Sequence, residues 1–302
     1  MNVLVLGGGG FIGSHIAEAL DGQGINVRIF NRGSALPFLN CDWVSGDFLD
    51  KAILLSALRD IDVVVHSLGT SVPATSAMDP VSDVESNLVG TLQLLAAMRE
   101  CKVSRLIYLS SGGTVYGNSS VGLVSEDYPL SPISSYGAVK VAIEKFIGVA
   151  AHEWGLSFVI LRPSNPYGER QAVGRQGLIS NILGRVLNGQ PVTVFGDGLN
   201  VRDYVYVRDL AELVAAAVCS DETGIFNAGS GVGHTILDIV HLAESVTGTT
   251  IPVERMAARR FDVREIVLNC SSAASVFGWR ATTDIESGMK AHFDWLKQRV
   301  VY

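Results

Sequence analysis

The sequence predicts an α/β chain: a Rossmann-type doubly wound parallel sheet with a smaller C-terminal substrate lobe. Three observations predict it. A short apolar run, residues 3–6, ends in four consecutive glycines, and helical spacing starts at Phe11. Apolar runs of strand length then alternate with helical patterns as far as Pro163, the signature of a parallel sheet with helices on both faces. Beyond Pro163 the alternation loosens, as expected for a lobe built to a different plan.

In order, the spacing predicts strands at residues 3–6, 25–30, 43–45, 62–66, 106–109 and 158–161. Helices fall between them at 11–20, 51–59, 87–100 and 135–154. In the second half it predicts a helix at 178–188, extended pieces at 191–195 and 203–207, and a helix at 209–219. A strand at 225–227, a helix at 236–246 and a terminal helix at 284–299 follow, the last with Phe293 and Trp295 packing inward. The division expected is a dinucleotide-binding domain over 1–165 and a lobe over 166–302, interleaved with the first.

Composition bounds the function. The chain has 302 residues, 48% hydrophobic and 18% charged, enough to bury a large core. A net charge of −7 argues against sequence-independent nucleic-acid binding, while a local basic pocket for a diphosphate stays open. Cys41, Cys101, Cys219 and Cys270 lack metal-site spacing, so no metal is expected, and they read as reduced thiols of a cytoplasmic protein. The apolar first twenty residues lack a basic n-region and carry four glycines, which argues against a signal peptide. No apolar run reaches the roughly 18 residues of a membrane span.

The chemistry is read from two places. Gly7-Gly8-Gly9-Gly10-Phe11-Ile12-Gly13 contains Gly-x-x-Gly-x-x-Gly between a strand and a helix. There glycines admit a pyrophosphate to backbone N–H groups at the positive end of the helix. Tyr136 and Lys140 are four apart and so share one helix face. An ammonium beside a phenol favours the phenolate and turns it into a base. Together they point to hydride transfer coupled to proton transfer at a carbinol. The second strand ends in Asn31-Arg32, neither the acid expected for NAD nor a clean 2′-phosphate site. NAD is slightly favoured and NADP stays possible. In Gly46-Asp47-Phe48, Asp47 suits an adenine amino group or a plain turn equally.

These segments, in this order, resemble the extended short-chain dehydrogenase/reductase superfamily, specifically its NAD-dependent epimerase/dehydratase family. The marks are Gly7 to Gly13, Val64-Val65-His66, Ser110-Ser111-Gly112-Gly113-Thr114-Val115-Tyr116-Gly117, Tyr136 to Lys140 and Leu161-Arg162-Pro163-Ser164-Asn165-Pro166-Tyr167-Gly168. Later come Phe195-Gly196-Asp197-Gly198 and Val201 to Leu210. The resemblance covers almost the whole chain and is specific for the family, less so for the substrate.

It implies that Tyr136 is the acid/base and that Lys140 binds the nicotinamide ribose and tunes the tyrosine. A hydroxyl near Ser111 would bond the reacting group. Gly7, Gly10, Phe11, Ile12 and Gly13 would hold the pyrophosphate. Ser67, Leu68 and Gly69 after His66, together with Pro163 and Ser164, would also touch cofactor. The hydroxyl position of galactose-type epimerases falls on Gly112, so Ser111 or Thr114 must substitute, and Ser111 is preferred. For the nucleotide sugar, the resemblance implies Asn165 on the sugar nucleotide, and Arg202 with Arg259, three before Asp262, as a diphosphate clamp. The usual Asn before the helix opening at Leu178 is Gly177, so that contact is lost or supplied by Gln176.

A nucleotide-sugar 4-epimerase, with UDP carried over as the commonest nucleotide, is the first expectation. A NAD(P)H-dependent reductase of a 4-keto-6-deoxy sugar nucleotide is the second. A dehydratase is disfavoured because Gly113 and Thr114 stand where relatives carry Asp and Glu, and a uronate decarboxylase for lack of its usual Glu. A non-catalytic dinucleotide sensor, which could dispense with the Tyr or the Lys, is the reading from another class. The resemblance also implies a homodimer through the long helices.

Overall fold

The structure, a computed structural model, describes residues 1–39, 41–119, 121–174, 176–258 and 263–300. The first half supplies six strands: β1 (Asn2–Leu6), β2 (Asn26–Asn31), β3 (Asp42–Ser45), β4 (Val63–His66), β5 (Arg105–Leu109) and β6 (Ser157–Pro163). Three strands follow outside that sheet, β7 (Asn165–Tyr167), β8 (Val192–Phe195) and β9 (Val201–Tyr206), before β10 (Gly224–Ala228) returns to it. The sheet runs β10-β6-β5-β4-β1-β2-β3. Every pairing in it is parallel.

Alternation along each strand decides which face each side chain joins. Val3 and Val5 of β1 enter the core beneath α1 (Phe11–Gly22), which also receives Leu210, Leu213 and Val214 of a later helix. Leu4 and Leu6 point the other way, toward α2 (Lys51–Ala57) and two longer helices described below. Each such aliphatic side chain, fully buried, contributes roughly 1.5–3 kcal/mol.

Where the spacing predicted one helix over 87–100, three devices precede a shorter one. These are α3 (Pro73–Met78), α4 (Pro80–Asp83) and one π-helical turn, Val84–Val89, that runs into α5 (Gly90–Glu100). The predicted helix 135–154 is observed as α6 (Ser135–Trp154). The Ser134 hydroxyl caps its first turn through the Gly137 N–H, and Gly155 ends it at φ 76°. The helix predicted over 51–59 stops at Ala57, just before Asp60 adopts a left-handed φ of 59°.

The second half adds α7 (Leu178–Leu187), α8 (Val207–Val218) and, after β11 (Gly233–Thr235), α9 (Ile236–Thr247). Then come β12 (Val253–Met256), β13 (Glu265–Ile266), α10 (Ser271–Phe277) and α11 (Ile285–Val300). β9 pairs with β7, β11 and β13, and β8 with β12. Ile179, Ile182, Leu183, Val194, Ile239 and Met289 form this part's own core, against which Phe293 and Trp295 pack. α8 instead lies on the large sheet beside α1. All four cysteines are free. Among the described residues no helix is long and apolar enough to cross a membrane, and no side-chain cluster suits a metal ion.

Candidate active site

The glycine loop is shaped by contacts rather than by composition alone. Gly7 has φ 80°, and a Cβ on it would come 2.9 Å from Leu68 Cα. A Cβ on Gly13 would lie 2.2 Å from the Gly7 carbonyl oxygen, so α1 can approach β1 only through a bare backbone. Gly10 is less crowded: a Cβ there would meet one atom, that same carbonyl oxygen, at a tight 3.2 Å. α1 starts directly after it, with no side-chain cap and no acid in the first turn. The N–H ends at Phe11, Ile12 and Gly13 are therefore left for an anion, which is the fit a dinucleotide pyrophosphate requires.

The flanking positions are arranged around that loop. Ser67 donates its hydroxyl to the Leu6 carbonyl at 2.7 Å, which fixes the Ser67-Leu68-Gly69 turn beside Gly7. Asn31 lies under Gly9, close enough that a Cβ there would strike its amide, while Arg32 is exposed at the rim. Asp47 is exposed, and its carboxylate accepts from the Leu49 N–H at 2.9 Å, a turn contact that leaves its second oxygen free to accept. Phe48 is buried against Gly90.

At the reaction end, Lys140 is buried and donates from Nζ to the Leu109 carbonyl at 2.9 Å. Nζ lies 4.9 Å from the centre of the Tyr108 ring and 5.7 Å from that of Tyr136. Burial pulls its pKa down to about 8, against the opposing pull of Glu144 and Asp83. Half-buried Tyr136 is pushed up to about 12, first by burial and then by Asp83. This departs from the expectation that Lys140 by itself makes Tyr136 a phenolate. The ammonium is engaged by a carbonyl, so the chain alone keeps the phenol protonated.

Ser111 and Thr114 both line the cleft. The Ser111 carbonyl accepts from the N–H groups of Thr114 (3.3 Å) and Val115 (3.1 Å), and the Thr114 hydroxyl is buried without a partner. The glycine between them has a physical cause: a Cβ on Gly112 would lie 2.6 Å from Leu268 Cδ1 and 2.7 Å from the Arg162 carbonyl. No hydroxyl fits there, so a reacting group must be met from the flanks.

Sequence reasoning missed what holds this loop. Glu144 and Arg162, each 2% exposed, form an ion pair at 2.6 Å across α6 and β6. Ser110 donates to Glu144 Oε1 at 2.5 Å, and Arg162 Nη1 donates to the Tyr116 hydroxyl at 2.8 Å. An arginine inside an apolar strand and a glutamate one turn after Lys140 were the available signal.

The cleft itself, about 710 Å³, opens at the carboxyl ends of β5 and β6, where open parallel sheets hold ligands. Pro163 and Ser164 lie on its floor, the Ser164 hydroxyl buried without a partner. Asn165 lines it and donates its amide to the Asp203 carbonyl at 2.8 Å. Half-buried Arg202 lines it from β9, braced by a bond from Nη1 to its neighbour's carbonyl. Gln176 and Leu178 complete the wall. Gly177 is set by strain, with φ 106° and Gln171 where a Cβ would stand, so an Asn does not fit. Arg259 and Asp262 lie outside the described residues. Among the described lining residues the only charges are Arg185 and Arg202, and no carboxylate is present. A second, open hollow on the lobe, between His234, His241 and Asp284, contains none of these groups.

Residues 3–229 match the model of the NAD dependent epimerase/dehydratase family. A putative UDP-glucose 4-epimerase of Methanocaldococcus jannaschii is 32% identical, over 98% of each chain. The structure of a Thermus thermophilus UDP-glucose 4-epimerase in complex with NAD superposes with a TM-score of 0.93 at 35% identity, covering 98% of this chain and 99% of that one. A Thermotoga maritima UDP-glucose 4-epimerase with UDP-glucose superposes with a TM-score of 0.93 at 32% identity, covering 99% and 100%.

Proposed function

The chain belongs to the NAD-dependent epimerase/dehydratase family, and from that premise we propose that this NAD-dependent nucleotide-sugar epimerase inverts C4 of a UDP-hexose. The observation that carries the reading is one cleft in which Tyr136 and Ser111 face Arg202 with no carboxylate among the described lining residues. Expelling water from C5 and C6 needs carboxylates at the sugar, whereas inversion at C4 needs one base and one hydroxyl donor.

In this reading Arg202 grips the diphosphate and Asn165 and Leu178 seat the nucleotide sugar. Gly10 and the first turn of α1 hold the cofactor pyrophosphate, Asn31, Arg32, Asp47 and Phe48 flank its adenosine, and Ser67, Pro163 and Ser164 border its nicotinamide half. Lys140 binds the ribose and places a positive charge beside Tyr136. When bound, oxidised NAD supplies a reversible acceptor for the C4 hydride and, through its positive ring, a charge that draws the phenol down from about 12. Tyr136 removes the C4 hydroxyl proton as the carbinol is oxidised. Ser111, backed by Thr114, holds the resulting carbonyl oxygen. After the 4-keto sugar turns over in the cleft, Tyr136 returns the proton to the same oxygen, so protons and electrons balance with no net redox change.

The same proposal assigns residues 1–165 to the cofactor and 166–302 to the sugar nucleotide. It places a homodimer contact on α6 and the neighbouring π turn, where Phe146, Val149, Val84 and Val89 are exposed together. Four unpaired thiols fit a reducing cytoplasm.

The test is to incubate the protein with UDP-glucose or UDP-galactose and catalytic NAD, without reduced cofactor, and to resolve the epimers by NMR. Approach to one equilibrium mixture from both sides is expected. Turnover only of a 4-keto substrate, with one reduced cofactor consumed each time, would replace the epimerase with a reductase. No turnover of any nucleotide sugar would leave the sensor.

A further inference from the structure

α4 packs against α6, the helix of Tyr136, and a buried carboxylate there has no task in the proposed chemistry. Asp83, 2% exposed, ends α4. Its carboxylate accepts from Ser71 Oγ at 2.6 Å, from Asn87 Nδ2 at 2.7 Å and from Ser76 Oγ. These donors belong to three successive pieces of chain: the loop after β4, α3, and the π turn. Asn87 extends the network, accepting from the Thr70 N–H at 3.0 Å and donating to Thr70 Oγ1 at 2.8 Å. The Asn87 carbonyl in turn accepts from Thr91 Oγ1, which is bonded to buried His66.

The segment gathered in this way carries Val72, Pro73 and Ala74, which line the cleft on the Tyr136 side. A carboxylate out of water is costly unless its oxygens are bonded, and here both are. Neutral hydroxyl acceptors could tie the wall without that cost, so the charge calls for a further role. The titratable groups that feel it are Tyr136 and Lys140 from α6 and Tyr108 from β5. Lys140 also faces Glu144 on its own helix and His66 from β4, and Tyr108 faces Glu144. Tyr108 keeps its hydroxyl buried and unpartnered in the same place.

We propose that Asp83 is a positioning residue: it anchors the wall of Val72, Pro73 and Ala74 over the reacting sugar and sets the charge that Tyr136 and Lys140 face. The part concerning the sugar rests on the epimerase reading, while the part concerning the phenol does not. The carboxylate adds to the burial that raises Tyr136 and joins Glu144 in opposing the burial that lowers Lys140, so it favours the phenol and the ammonium until the cofactor's charge arrives.

The test compares the NAD-loaded protein with its Asp83→Asn variant. Asn is nearly isosteric and keeps an acceptor for Ser71 and Asn87. Tyrosinate absorbance is followed against pH in each background, and the signal of Tyr136 is isolated by subtracting the matching Tyr136→Phe protein. Asp83→Asn should lower the Tyr136 midpoint by about one pH unit. A double variant, Ser71→Ala with Ser76→Ala, keeps the charge but loosens the wall. It should leave the midpoint in place and raise KM for the nucleotide sugar several-fold. An unmoved midpoint in folded Asp83→Asn overturns the charge role, and an unmoved KM in the double variant overturns the anchoring role. If Asp83→Asn does not fold, the double variant still decides the anchoring role, and Asp83→Ser, which removes the charge and keeps a hydroxyl for Ser71 and Asn87, decides the charge role through the same midpoint. Failure of the epimerase reading appears elsewhere, as unchanged UDP-sugars with the wild-type protein.

Discussion

The two walls of the cleft are built in opposite ways. On the sheet side, the charged groups near Tyr136 are buried and each held at least twice: Lys140 by a carbonyl and a ring face, Glu144 by Arg162 and Ser110, Asp83 by three donors. On the lobe side, the lining from Val173 through Arg202 is apolar, amide-bearing or, at Thr193, hydroxyl-bearing, with Arg185 and Arg202 as its charges. A rigid, over-determined wall preserves one chemistry. A wall of mostly neutral side chains on α7 and short strands lets the sugar and nucleotide change without disturbing that chemistry. Substitutions at the reacting groups and at the Glu144–Arg162 pair should therefore cost rate or stability, and those that move a surface touching the sugar nucleotide should cost affinity.

The largest effect tests the sheet side directly. Tyr136→Phe should lower kcat by at least about 10³-fold, on the order of 4 kcal/mol, with NAD retained, as read by turnover and by the cofactor released on denaturation. A residual rate near wild type would remove Tyr136 from the chemistry. Next comes the ion pair: Glu144→Ala strands the buried Arg162 guanidinium and should reduce unfolding free energy by about 3–5 kcal/mol in urea titrations. A loss under 1 kcal/mol would mean that this wall is less tightly determined than its contacts imply.

A third effect appears in acid. Burial lowers His66 to about 3 and both His15 and His292 to about 4. Below 6.5 the unfolded chain takes up these protons and the folded chain does not. The stability from the neutral imidazoles is full above pH 6.5 and is lost as pH falls toward 4. His292, with both ring nitrogens buried and unpartnered, gives the cleanest test. His292→Leu should flatten the acid limb of the unfolding free energy, followed by urea titration at each pH, by up to about 3 kcal/mol. A limb as steep as that of wild type would assign the loss to other groups.

The smallest effect sharpens the lobe side. Arg202→Ala should raise KM for a UDP-sugar about tenfold or more, near 1.5–2 kcal/mol, with kcat changed less than threefold. A fall in kcat instead would make Arg202 part of the chemistry and blur the division between the walls.

Much of this contrast was legible in the sequence on the sheet side, because its signals are local. Continuous apolar strands, the glycine turn, and the cap residues Ser134 and Gly155 each announce themselves within a few residues. The bounds of α6 came out unchanged for that reason. α3, α4 and the π turn did not, since six, four and six residues are too few to show a period and their polar side chains point inward to Asp83. β7, β11 and β13 exist only through pairing with β9, which no local pattern encodes. The site residues were readable as a set, but not the contacts that set their charge. Tyr136 and Lys140 face each other as their spacing requires, yet the phenol answers first to burial and to an aspartate 53 positions away.

β10 also bears on how the chain is made. As it emerges from the ribosome, β6 is complete well before residues 224–228 arrive to pair with it, so Val159, Ile160 and Leu161 wait on an open parallel edge. Such an edge is a template for pairing with another nascent chain. The nucleotide-binding half is thus not an autonomous product of early synthesis. A fragment ending before Gly224 should be recovered as aggregate, and only the residues between β6 and β10 must be made before the sheet can close.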